Sequence, residues 1–66
     1  MSQEYYCAVS PDTDALTVSD MYASSIKKEV MVFSVVQSEG RSTCIMLDRD
    51  QLIKLGNQIQ DFIIHN

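Results

Sequence analysis

The chain has 66 residues, nine of them acidic and five basic, a net charge of −4 and a hydrophobic share of 45%. That length makes a single domain, residues 1–66, and so short a chain hides only about 60% of its unfolded surface, so extra burial is expected from a disulfide, a metal or self-association. The acidic balance disfavours nucleic acid, and no run approaches the roughly 20 apolar residues of a membrane span, so neither is an expected partner.

Taken in chain order, "EYYCAV" (4–9) predicts a first strand, ended by the turn-forming "SPDTD". "ALTVSD" (15–20) alternates Leu16 and Val18 with Thr17 and Ser19, the pattern of a half-buried strand. Val18, Met21, Tyr22 and Ile26 also fit a helical stripe; strand is the preferred reading. Residues 29–37 are rich in Val, Met and Phe, 41–47 follow the same style, and "SEGR" between them offers Gly40 for a tight turn, so a β-hairpin is expected. Asp48 then ends the second strand as a helix N-cap, with Gln51 three residues on completing a capping-box pattern. Leu52, Leu55, Ile59, Phe62 and Ile63 follow helical spacing, with Gly56 on the same stripe. Glycine there costs roughly 1 kcal/mol against alanine, and predicts a close backbone approach to the sheet. The expected fold is α+β: a small antiparallel sheet of three or four strands with one C-terminal helix packed on one face.

A two-residue loop at Glu39–Gly40 sets the hairpin register, with Val36 opposite Thr43, Phe33 opposite Met46 and Val32 opposite Leu47. The helix is then expected on the face carrying Val30, Val32, Val36, Ile45 and Leu47. Met31, Phe33, Val35, Cys44 and Met46 fall on the other face, which is too apolar to face water. Residues 10–28, a second copy or a different protein would each cover it. The set is accordingly read as a protein interface, most simply that of a homodimer, with Phe33 as its anchor.

Charge is distributed unevenly. Glu4, Asp12, Asp14 and Asp20 lie in the first twenty residues, which hold no Lys or Arg, while the remainder is balanced. Asp12, Asp14 and Asp20 are therefore expected to face a partner protein with a basic surface. The N-terminus "MSQEYY" lacks the basic region and apolar run of a signal peptide, which predicts a reducing cytoplasm with Cys7 and Cys44 as free thiols.

No catalytic, metal or cofactor motif stands out. His65 is the one histidine, and the cysteines lack CxxC spacing. "DTD" (12–14) and "DRD" (48–50) are carboxylate pairs without further ligands. The expected function is thus a non-enzymatic protein-binding module that occupies a partner's surface. Competing readings are a small enzyme with carboxylates assembled between subunits, and a structural subunit of a larger assembly.

The absence of an N-terminal proline after Met1 separates the chain from the small tautomerases. The absence of a basic strand separates it from ribbon–helix–helix repressors. The run "CIMLDRDQLIKLGNQIQDFI" (44–63) resembles the strand–cap–helix ending of small bacteriophage-encoded accessory proteins of unassigned function. That resemblance covers about a third of the chain. It implies a protein that binds and redirects or inhibits a host component, defence machinery included, and it assigns no site residues.

Overall fold

The computed structural model describes residues 2–65. Four strands, β1 (Gln3–Tyr6), β2 (Ala15–Ala23), β3 (Lys28–Val36) and β4 (Ser42–Leu47), form one antiparallel sheet in the order β1-β2-β3-β4. A single helix, α1 (Arg49–His65), follows. The expected α+β architecture with its C-terminal helix is therefore what the chain adopts.

The first strand is shorter than the sequence predicts. The strand ends at Tyr6: the Cys7 N–H still donates to Asp14 O at 3.1 Å, while its Sγ accepts from Ser10 N at 3.4 Å as the chain turns. Ser10 O in turn accepts from Thr13 N at 3.3 Å and Asp14 N at 3.0 Å, so "SPDTD" closes as a local turn. Residues 15–23 extend as β2 along the whole of β3, from Ala15 opposite Val36 to Ala23 opposite Lys28. They add a strand to the sheet and do not wrap across a face, which removes one of the three expected coverings.

The β3–β4 connection differs from expectation by one residue, and that residue changes the molecule. Gln37 N–H donates to Arg41 O at 2.8 Å, closing a three-residue loop, Ser38–Gly40, rather than a two-residue one. Within it Glu39 (φ 70°) and Gly40 (φ 74°) both adopt the left-handed conformation. Val36 consequently pairs with Ser42, Phe33 with Ile45, Val32 with Met46 and Met31 with Leu47. A one-residue slip turns every β4 side chain to the opposite face. Leu16, Val18, Met31, Phe33, Val35, Ile45 and Leu47 now share one face, and Thr17, Ser19, Ser34, Ser42, Cys44 and Met46 the other. The sheet becomes amphipathic in the ordinary way, with β3 as its one two-sided apolar strand.

α1 lies over the Met31–Phe33–Val35 face, not over the Val30–Val32–Val36 face expected from the sequence. Leu52, Leu55, Gly56 and Ile59 front Tyr5, Leu16, Val18, Met31 and Phe33. The helix start follows the sequence signal: Gln51 N–H donates to Asp48 Oδ1 at 3.2 Å and Leu52 N–H to Asp48 O at 2.9 Å. Asp48→Ala is expected to cost about 0.5–2 kcal/mol, read as a shift of the urea midpoint. The 3.7 Å pair between Lys28 Nζ and Asp48 Oδ2 is exposed and adds little.

Gly56 corrects a second expectation. A Cβ placed on it meets nothing within 4 Å, so no close approach requires glycine. Gly56→Ala should therefore stabilise the chain by about 0.4–1 kcal/mol, raising the melting temperature; a lower one would mean that the space is occupied.

Candidate interaction surface

The helix and sheet do not close on each other. Between them lies an apolar cleft of about 550 Å³ lined by Tyr5, Leu16, Val18, Met31, Phe33, Leu52, Leu55, Gly56 and Ile59. Only Ala23 and Val30 count as buried hydrophobics among the described residues, and both belong to the far face of the sheet. Leu52 and Leu55 are half-buried, but the helix stripe then runs out into solvent, with Ile59 50%, Phe62 67% and Ile63 64% exposed. Val35 and Ile45, on the same side of the sheet, are 40% and 60% exposed.

Area states the point most directly. The chain exposes 5661 Å², whereas a folded monomer of 7.5 kDa exposes about 4,250 Å², so the excess is about 1,400 Å². Its radius of gyration is 13.5 Å, against about 11 Å for a compact chain of 66 residues. The molecule is a slab of 36 × 34 × 17 Å with one apolar side left open.

The expected interface set is divided by the corrected register. Met31, Phe33 and Val35 stand on the helix side, where Met31 and Phe33 line the cleft, while Cys44 and Met46 stand on the opposite face. Phe33 thus lines the cleft beneath the chain's own helix, half-buried, instead of standing on the face away from it. Tyr5, Ile45 and Ile63 enlarge the helix-side surface and were not in the expected set. Ile45 was assigned to the helix-covered face and lies on the helix side, but the slip sets it with Met31, Phe33 and Val35 rather than with Val30, Val32 and Val36.

The acids are likewise dispersed. Asp14 Oδ1 accepts the Ser38 backbone N–H at 3.1 Å, which ties the turn before β2 to the β3–β4 loop. Asp12 is exposed in that turn. Asp20, on β2, lies six residues beyond Asp14, about 20 Å away at strand spacing. It borders a second hollow of about 480 Å³ together with Glu29 and Arg49. Asp12, Asp14 and Asp20 therefore do not converge within one chain. Among the described residues no group of three His, Cys, Asp or Glu is placed to hold a metal ion, and no helix is long and apolar enough to cross a membrane. Cys7 and Cys44 are free thiols, half-buried and exposed respectively. Compared with family models, with curated proteins and with solved structures, the chain matches none.

Proposed function

We propose that the chain is a non-enzymatic protein-binding module that works as a homodimer and acts by occupying the surface of another protein. The observation that carries this reading is the open apolar side, with its excess of about 1,400 Å² over a folded monomer of this mass. Two copies hiding that excess would bury about 2,800 Å² in all, within the roughly 2,000–5,000 Å² of obligate homodimers. An apolar side left open to water is an aggregation hazard, and a partner surface removes it. The reading places the protein in a reducing cytoplasm, where both thiols persist.

The second partner is a protein with a basic surface. Asp12 is free of the structural bond that holds Asp14, and it stands in the turn before β2. The resemblance to phage accessory proteins makes a host or defence protein the class to try first. Two experiments test the reading. Sedimentation of the purified chain should give a dimer at micromolar concentration, and a stable, non-aggregating monomer would overturn it. Once a partner is captured and its binding reproduced with purified components, Asp12→Asn should slow association and weaken its salt dependence while leaving stability unchanged. An association rate that does not move at low salt would remove the acidic turn from the contact.

A further inference from the structure

We propose that β4 is the dimerisation edge: two copies pair β4 with β4, antiparallel, about a two-fold axis perpendicular to the sheet. The proposal rests on the homodimer reading and specifies which surface makes it. A four-stranded sheet in the order β1-β2-β3-β4 has two edges, and they are unequally guarded. β1 is four residues long and carries Glu4, whose Oε2 accepts from Tyr6 Oη at 3.2 Å. β4 is six residues, "STCIML", with no charge, no proline and no bulge in its pairing with β3. Charges, prolines and bulges are the devices that keep exposed edges from pairing, and β4 lacks all three.

Its side chains are open on both faces as well as along the edge. Ile45 is 60% exposed on the helix side, and Met46, 50% exposed, stands with the exposed Cys44 on the other. An apolar strand uncovered in three directions is an unfilled pairing site. Charge complementarity selects the orientation. β4 is flanked by Arg41 before it and Asp48 after it. Antiparallel pairing sets each Arg41 beside the Asp48 of its mate, at both ends of the ladder; a parallel arrangement would align like charges.

The pleat then limits the register. Opposed residues in an antiparallel ladder share a face. A two-fold axis perpendicular to the sheet keeps the helix sides of both copies together, so the central residue must face its own symmetry mate. Ile45 against Ile45 or Cys44 against Cys44 satisfies both conditions and keeps Arg41 next to Asp48. The product is an eight-stranded sheet in which the Val35 and Ile45 strips of the two copies adjoin, flanked by the two helices.

Cysteine cross-linking tests this geometry. In a Cys7→Ser background, Cys44 is the sole thiol. Moving that thiol in turn, with Cys44→Ser and Thr43→Cys, Ile45→Cys or Met46→Cys, scans the edge. Facing residues in such a ladder have Cα atoms about 4.5–5.5 Å apart, inside the range that a disulfide spans. Under copper–phenanthroline and dissolved oxygen, covalent dimer should form fastest at position 44 or 45 and fall off on either side, and outpace a Ser25→Cys control in the β2–β3 turn. Ile45→Lys should raise the dimer dissociation constant by about 100-fold or more, since each copy contributes the change, while circular dichroism keeps its helix signal because Ile45 is already exposed. A dimer by sedimentation that cross-links at no β4 position faster than the control would overturn the β4 pairing and leave the homodimer standing. A chain that sediments as a monomer would overturn both.

Discussion

Replacing Phe33 by Asp is expected to unfold the chain instead of releasing a folded monomer. Phe33 lies on the central strand β3, opposite Val18 on one side and Ile45 on the other, and lines the cleft beneath Leu52, Leu55 and Ile59. An aspartate there directs a charge into apolar surroundings with no basic side chain on the cleft wall. Such substitutions belong to the class that costs about 4 kcal/mol or more. A chain of 66 residues has only about 3–10 kcal/mol of stability in total, at roughly 0.05–0.15 kcal/mol per residue. The far-ultraviolet helix signal should therefore be lost at room temperature. A monomer that keeps that signal would place Phe33 outside the helix–sheet contact, as the two-residue turn would have done.

Leu55→Ala carries the second largest expected effect. Leu55 is half-buried and faces the sheet across the cleft from Phe33 and Val18. Truncation of core leucines costs about 2–5 kcal/mol, and the open cleft puts this one near the lower end. Ile64, 65% exposed and off the helix stripe, provides the contrast: Ile64→Ala should stay within about 0.5 kcal/mol. Urea titrations of the two variants measure both. Equal losses would mean that the helix does not present the Leu52–Leu55–Ile59 stripe to the sheet.

Those two expectations show where the sequence was sufficient. The helix, its Asp48 cap and its apolar stripe rest on interactions within a few residues, and the sequence carries them whole. The hairpin was legible as a hairpin for the same reason. Its register was not. Glu-Gly is not the Asn-Gly or Asp-Gly pair that marks a two-residue turn, and the chain spends three residues on the loop, with Glu39 and Gly40 both left-handed. One extra loop residue exchanged the faces of β4, divided Met31, Phe33 and Val35 from Cys44 and Met46, and set the helix on the other side of the sheet.

Two further features depended on tertiary placement. Gly56 read as a close approach but fronts open space, because the helix stands off the sheet by a distance that no local pattern encodes. Asp14 read as a partner-facing acid but holds Ser38, a contact between residues 24 apart in the chain. Asp12 and Asp20 kept their exposure without becoming neighbours of each other. The acidic surface is thus a property of several separate places on the slab.

The claim on which the rest depends is that one chain is an incomplete fold, completed by a second copy. Sedimentation equilibrium across a hundredfold concentration range, paired with thermal melts of the same samples, tests it directly. The account predicts a species of twice the 7.5 kDa chain mass, with a melting temperature that rises with protein concentration because dissociation accompanies unfolding. A 7.5 kDa species whose melting temperature is the same at every concentration would contradict it.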